Sequence, residues 1–182
     1  MLPIPEGYDP AASPIVSTTA AQLDVLLVTL TRRVGEASRE LLEWQLRPGV
    51  NTIGMLLAHL AVVEVYWVEC AGRGIESDEE ADEIVLGILG IRVDDDGMPL
   101  AEDGVHPRSL AGRTAADYLE MLGKARSATH RALRSWEDRR LAETRTVDGG
   151  EVSLAWVLYH IVEHFAYHLG QIGQLLSLHR RL

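Results

Sequence analysis

Three histidines at intervals of four residues lie in the segment YHIVEHFAYHLGQ, which spans residues 159–171. Residues four apart share one face of an α-helix, with their Cβ atoms roughly 6 Å apart. Two neighbouring imidazoles can therefore converge on one ion at metal–nitrogen distances of about 2.0–2.1 Å. His160 and His168 lie about 12 Å apart along a straight helix, which is too far to share an ion. The array predicts one chelating pair, and further ligands must come from another segment.

His59 is the candidate for that further ligand, because it lies on the apolar stripe of an earlier helical segment. A polar ring left in a core without a partner costs about 1–3 kcal/mol. A lone histidine on such a face is more often a hydrogen-bonded structural residue than a ligand. Together with a histidine pair on another helix it predicts a shared metal site, while buried histidines without metal remain the alternative. His106, His130 and His179 are expected to be surface residues.

Other metal motifs do not fit the chain. A zincin helix needs Glu directly after its first His, but Ile161 follows His160 and Phe165 follows His164. A carboxylate-bridged di-iron bundle needs Glu-x-x-His on two helices, and the sequence contains none. The segment that ends in DDDG resembles a calcium loop only in part, because Arg92 stands where the first aspartate should be.

Four amphipathic segments must position the histidines, so the predicted fold is an all-α four-helix bundle. Pro, Gly and capping residues place these helices from Ser17–Thr19 to about Trp44, from Asn51 or Thr52 to about Ala71, from Thr114 to about Trp136, and from Leu154 to His179 after the cap Ser153. One domain is expected over 1–182, with an irregular arm over 1–16. The segment TVDGGEVS predicts a tight turn or a short hairpin.

A long acidic connection over 72–112 separates the second and third predicted helices. It contains the runs ESDEEADE and VDDDGMPLAEDG, which are rich in charge and in turn-forming residues. Such charge runs usually form a solvated face. The connection is therefore expected at the surface, with a short helix over 78–90.

Composition excludes several classes of protein. The net charge of −10 argues against nucleic-acid binding, which needs a concentrated Lys/Arg surface. Cys70 is the single cysteine, so no internal disulfide framework is possible. The first residues lack the pattern of a signal peptide, and no long uncharged run predicts a membrane span. We therefore expect a cytoplasmic protein that binds neither nucleic acid nor membrane, with 47% hydrophobic residues to build a core.

Two stretches resemble the DinB-like superfamily, namely MLLAHLAVVEVYW and EHFAYHLGQIGQLL. This superfamily includes DNA-damage-inducible DinB proteins and thiol-dependent S-transferases and isomerases, such as mycothiol-dependent maleylpyruvate isomerases. The resemblance covers about 20–71 and 114–178 and implies a four-helix bundle. It also implies an ion held by one His of the second helix and by an HxxxH pair followed by Gly-Gln. Gly170-Gln171 then assigns His164 and His168 as the pair, His59 as the third ligand, and His160 as a neighbour one turn away.

Three imidazoles would leave coordination positions open, as in a catalytic metal site. Zinc and nickel suit such ligands best, with iron and manganese left open. The resemblance implies an enzyme that uses a low-molecular-weight thiol in an S-transferase or isomerase reaction on a small-molecule substrate. Lys124 is the only lysine among 17 basic residues, which indicates a GC-rich source in which that thiol would be mycothiol.

Gln171 and His160 are the catalytic candidates, because both lie within a turn of the predicted ligands and can orient a ligand or move a proton. Glu163 and Tyr167 are more simply surface residues, and Glu64 more simply faces solvent than braces His59. Two alternatives remain open, a non-catalytic metal-binding or stress-response bundle and a metal-dependent hydrolase. A homodimer is among the oligomeric states that the sequence leaves open.

Overall fold

A computed structural model describes residues 2–98, 100–147 and 149–181. In the described residues the chain forms six α-helices and one short hairpin. The helices are α1 (Pro14–Val34), α2 (Arg39–Glu43), α3 (Ile53–Val65), α4 (Asp78–Leu89), α5 (Ala115–Leu133) and α6 (Leu154–His179), and the strands are β1 (Thr144–Val147) and β2 (Gly150–Ser153).

The four long helices α1, α3, α5 and α6 form a bundle around one main core. Helix α3 packs against α5 and α6, and α1 packs against the same two helices, so α1 lies diagonally opposite α3. Leu56, Leu60, Leu122 and Phe165 are among the fully buried residues at its centre. The predicted all-α four-helix bundle is confirmed.

The helix ends follow from local capping. The side chains of Thr52, Thr114 and Ser153 accept hydrogen bonds from backbone N–H groups in the first turns of α3, α5 and α6. Helix α6 begins and ends as the sequence predicts. Helix α5 ends at Leu133, three residues before the predicted Trp136. Strands β1 and β2 pair antiparallel, which confirms the short hairpin before α6.

The first predicted helix is wrong at both ends. Helix α1 begins at Pro14, so the irregular arm is shorter than 1–16, because proline suits the first turn of a helix. It ends at Val34, and the chain turns before Ser38 caps the separate short helix α2. The apolar spacing continues through both helices, so periodicity did not show the break.

The segment after α3 departs from a simple helix. The last turn of α3 continues as a π-helical turn over Tyr66–Cys70 and a 3-10 turn over Ala71–Arg73. The following connection contains α4 close to the expected place and a 3-10 turn over Val93–Asp96, and both pack against α3. Its description as a solvated surface connection is wrong, because Asp96, Val85 and Leu110 are buried against the bundle, with Asp96 3% exposed.

Two helical stretches, Pro14–Val34 and Ile53–Arg73, are long and apolar enough to cross a membrane by length and composition alone. The second is 72% buried within the bundle. A buried core helix passes the same test of length and composition, and the packing of both stretches against α5 and α6 fits that description.

Candidate metal centre

His59, His164 and His168 come together between α3 and α6. The Nε2 atom of His164 lies 3.1 Å from the Nε2 of His59 and 3.1 Å from the Nε2 of His168. One ligand atom from each ring lies within 4.8 Å of the other two. The structure therefore brings together the three residues that the sequence named, from two helices more than 100 positions apart along the chain.

These separations fit ligands of one ion. Nitrogens that bind one ion at about 2.1 Å lie roughly 3.0–3.4 Å apart when their bond angles are about 90–110°. Three imidazole lone pairs this close repel one another unless a proton or a cation lies between them. The cluster could therefore hold a divalent metal ion, with three nitrogen ligands and room for others.

Asp96 sets the tautomer of His59. The Nδ1 of His59 lies 2.8 Å from Oδ2 of Asp96, and an ionised carboxylate only accepts, so Nδ1 carries the proton. This leaves the Nε2 lone pair directed at the cluster. Asp96 is held in turn by the backbone N–H of Met98, which donates to its Oδ1 at 2.8 Å. Gly97 turns the chain at this point with φ of +74°, a conformation that favours glycine.

Gln171 is the hydrogen-bond partner of His168, as Asp96 is of His59. Its Oε1 lies 2.8 Å from Nδ1 of His168, one turn further along α6. An Nδ1–H that donates to this oxygen again leaves Nε2 free for a metal. Carboxylate or carbonyl partners of this kind orient histidine ligands and strengthen them as bases. Gln171, predicted to orient a ligand or water, here orients His168.

The pKa values of His164 and His168 lie below the usual histidine value, so these two rings are neutral near pH 7 in the absence of an ion. Burial, followed by the nearby His168 and His59 rings, lowers the pKa of His164 from 6.5 to about 3. Burial also lowers the pKa of His168, against the effect of its hydrogen bond to Gln171. His168 is 6% exposed, whereas His59 and His164 are only partly buried. The centre thus combines available lone pairs with access for a small ligand.

His160 lies beside the triad without joining it. Its ring centroid is 5.5 Å from that of His164, and it stacks on Trp156 at 4.6 Å with an interplanar angle of 11°. The edge of Trp67 meets both rings, at 5.0 Å from Trp156 and 5.1 Å from His160. These three aromatic rings form a wall beside the metal centre, with His160 between the tryptophans and the triad.

Sequence reasoning missed Asp96, Trp67 and Trp156 as parts of the site. Asp96 is 37 residues from His59 and lies in an acidic run, so no local signal distinguished it. The pair Trp156 and His160 did carry a signal, because residues four apart on a helix are neighbours. Tyr167 is 59% exposed, and the Glu163 side chain is 48% exposed, as expected of surface residues.

Several residues expected at the surface lie elsewhere. Glu64 is 3% exposed and pairs with Arg126, because a carboxylate inside a bundle needs a charged partner. His130 bonds to Asp24, His106 bonds to Thr52, and the ring of His179 packs edge-on against Trp44. The surface prediction is therefore wrong for Glu64, whereas the three histidines are partly buried. Cys70, the single cysteine of the sequence, is buried in the core.

Fold and site together define a four-helix bundle whose neighbouring helices gather three histidines at one point. The family model of the DinB superfamily matches residues 22–172, and the chain belongs to that superfamily. A DinB-like protein from Bacillus cereus ATCC 10987 has the same fold, with a TM-score of 0.58 and 16% sequence identity. That alignment covers 87% of this chain and 90% of the other. Comparison with curated proteins found no match.

Proposed function

We propose that this chain is a divalent-metal-dependent enzyme that acts on a small molecule with a low-molecular-weight thiol, as an S-transferase or an isomerase. His59, His164 and His168 hold the ion through their Nε2 atoms, with zinc or nickel as the best-suited metals. One observation carries the proposal: three Nε2 atoms converge at 3.1 Å contacts while Asp96 and Gln171 occupy the opposite nitrogens of two rings.

The bound ion would supply the positive charge that ionises a thiol or polarises a carbonyl. The protein supplies position and environment. Asp96 and Gln171 hold the rings of His59 and His168 in their orientation. His160 is the candidate for moving a proton beside the site, because its pKa is lowered by burial and its ring remains 22% exposed. A neutral imidazole next to the substrate can accept a proton at neutral pH.

Membership of the DinB superfamily supports the thiol reaction, since this superfamily includes thiol-dependent transferases and isomerases. Mycothiol is the proposed thiol, in keeping with the single lysine of the sequence. A cytoplasmic location and a homodimer belong to the same proposal.

The test begins with metal analysis of purified protein after resupply with zinc, nickel, iron or manganese. Thiol consumption is then followed with mycothiol or glutathione and a panel of electrophiles. His59→Ala and His168→Ala should lose both bound metal and turnover, whereas His179→Ala should keep both, because its ring packs on Trp44 away from the triad.

Other outcomes decide between the alternatives. Metal binding that raises the melting temperature without any thiol turnover would identify a non-catalytic metal-binding bundle. Ester or amide hydrolysis that needs the metal but no thiol would identify a hydrolase. A wild-type protein that takes up no metal after resupply would contradict the proposal and leave the histidines as buried structure.

A further inference from the structure

A pocket next to the metal centre lies between the C-terminal half of α6, the start of α3 and the segment that precedes α3. Its volume is about 220 Å³, and it is lined by Leu46, Val50, Asn51, Leu56, Gln171, Gln174, Leu175 and Leu178. Two lining residues belong to the surroundings of the triad. Leu56 lies one helical turn before His59, and Gln171 accepts the hydrogen bond of His168. The pocket and the centre therefore share Gln171, and Leu56 lies close to His59 along α3.

The chemistry of the lining selects for neutral ligands. Five of the lining residues are aliphatic and three carry carboxamides. The lining residues that the structure describes therefore include no charged side chain. An ionised group placed there would lose hydration without an opposite charge to compensate. The volume is below the roughly 300–1,000 Å³ of pockets that enclose a drug-sized ligand. The pocket therefore suits one short apolar arm of a larger molecule.

Gln171 gives the pocket a specific polar contact. Its Oε1 faces Nδ1 of His168, which must carry a proton when Nε2 is a ligand, so the NH₂ end of the amide points away from that ring. Among the residues that the structure describes, this NH₂ group has no hydrogen-bond partner, and Gln171 itself is only partly buried. It can donate to an acceptor oxygen on the occupant of the pocket.

We propose that this pocket is a substrate subsite for a neutral, mainly aliphatic group that carries an acceptor oxygen such as an amide or ketone carbonyl. Gln171 is its positioning residue, with one end of the amide on His168 and the other on the occupant. The assignment rests on the proposed function in taking His168 as a ligand. It adds the class of group that the substrate presents next to the ion.

N-butylacetamide serves as the probe, because it joins a four-carbon chain to an amide oxygen. In NMR titrations of metal-free protein, it should shift the side-chain amide signals of Asn51, Gln171 and Gln174. Hexanoate, of similar length but charged, should bind at least about 10-fold more weakly. Equal binding of the two probes, or shifts that avoid these three amides, would overturn the proposal.

Three variants locate the binding further. Leu178→Trp fills the pocket and should abolish the shifts. Ser177→Trp places the same side chain on the neighbouring exposed position, which does not line the pocket, and should leave them intact. Gln171→Leu removes the donor and should weaken binding about 2–10-fold, the effect of one hydrogen bond. If Ser177→Trp abolishes the chemical-shift changes and Leu178→Trp does not, the probe binds outside this pocket and the assignment is refuted.

Zinc tests the connection to His168 separately. Zinc on Nε2 fixes the proton on Nδ1 and so orients the Gln171 amide, which should tighten N-butylacetamide binding several-fold in wild-type protein and leave Gln171→Leu unchanged. Zinc uptake without any such tightening would overturn the positioning role of Gln171. Protein that takes up no zinc contradicts the proposed function, while the titration of metal-free protein still decides the pocket.

Discussion

The histidine triad and a second polar cluster inside this bundle differ in what their side chains leave unsatisfied. The first is the histidine triad between α3 and α6. The second, here called the arginine network, joins α1, α3 and α5 to the N-terminal arm. In it Arg126 pairs with Glu64 and Asp24, Asp24 with His130, and His130 with Tyr8.

Every contact of the arginine network pairs a donor with an acceptor. The guanidinium of Arg126 donates from Nε and Nη2 to the two carboxylate oxygens of Glu64 at 2.8 and 3.1 Å, and from Nη1 to Asp24 at 3.1 Å. His130 completes the chain between Asp24, at 3.0 Å, and the hydroxyl of Tyr8, at 2.8 Å. This cluster is complete without any ligand.

The triad has the opposite arrangement. Its partners Asp96 and Gln171 lie on the outer nitrogens of His59 and His168, and the Nε2 of His164 lies between the inner nitrogens of those two rings. His164 has at most one Nε2 proton to share between two acceptors, so at least one of the two contacts brings lone pairs together. A polar cluster that is complete in itself holds helices together, whereas one whose lone pairs converge can bind a cation. Burial alone did not distinguish the two, because both contain residues that are less than 7% exposed.

The largest effect is expected from Arg126→Met. The substitution leaves Glu64 buried without its partner, which should cost about 3–5 kcal/mol of unfolding free energy, measured by urea denaturation. The double variant Arg126→Met, Glu64→Leu should recover much of that loss, because it removes the uncompensated charge. A loss below about 1 kcal/mol would mean that the network does not hold the bundle together.

His164→Ala should impair metal binding and leave stability almost unchanged, the reverse of Arg126→Met. Loss of His164, the middle ligand, should lower zinc affinity by more than about 100-fold. Substitution of a residue that only hydrogen-bonds to a ligand already lowers metal affinity about 10–100-fold. The unfolding free energy of the metal-free protein should change little. Competition with a chromogenic chelator measures the affinity, and folded Arg126→Met protein with normal zinc uptake provides the cross-check. Equal zinc affinity in wild type and His164→Ala would place the metal elsewhere.

Asp96→Asn should weaken zinc binding about 10–100-fold. Asparagine offers one acceptor oxygen, whereas Asp96 uses both oxygens, one for His59 and one for the backbone of Met98. Asp94→Asn is the matched control, because Asp94 lies two residues away in the same turn and is exposed. If both variants bind zinc alike, the orientation of His59 does not depend on Asp96.

The metal-free protein should become less stable as the pH falls from 7 to 5. Burial lowers the pKa of His164 from 6.5 to about 3, so the unfolded chain binds a proton more readily than the folded one. The stabilisation is complete above pH 6.5 and is lost as the pH falls towards 3. Melting curves in the presence of a chelator measure it, and His164→Ala should show a flatter profile. An unchanged melting temperature between pH 7 and 5 would contradict this account.

Tyr8→Phe should have the smallest effect. It removes one partly buried hydrogen bond to His130 and should cost about 0.5–1.5 kcal/mol of unfolding free energy. Zinc affinity should stay at the wild-type value, because Tyr8 belongs to the arginine network alone. A fall in zinc affinity would show that the two clusters are coupled through the bundle.

Much of the fold could be predicted because its signals are local. The capping side chains of Thr52, Thr114 and Ser153 act on residues three positions away, and the period of the apolar stripes extends over one turn. The break after Val34 was missed because the apolar spacing continues on both sides of it.

The candidate site also contains residues that local spacing predicts and residues that it does not. His164 and His168 were found as a pair because their spacing makes them neighbours on one helix, and His59 was added by its apolar surroundings and the resemblance. Asp96 and Glu64 were not found, because their partners lie 37 and 62 residues away. Asp96 lies in an acidic run, where a buried carboxylate and a solvated one look the same. Glu64 lies in the apolar helix α3, but its partner Arg126 is on another helix and gives no local signal.

The sequence by itself therefore determined most of the helices and the residue types that could bind a metal, since both depend on spacing within a few turns. Only the tertiary structure decided which nitrogen of each ring faces the cluster and which acidic residues are buried. Those properties depend on partners brought together by packing, at distances along the chain over which periodicity carries no information.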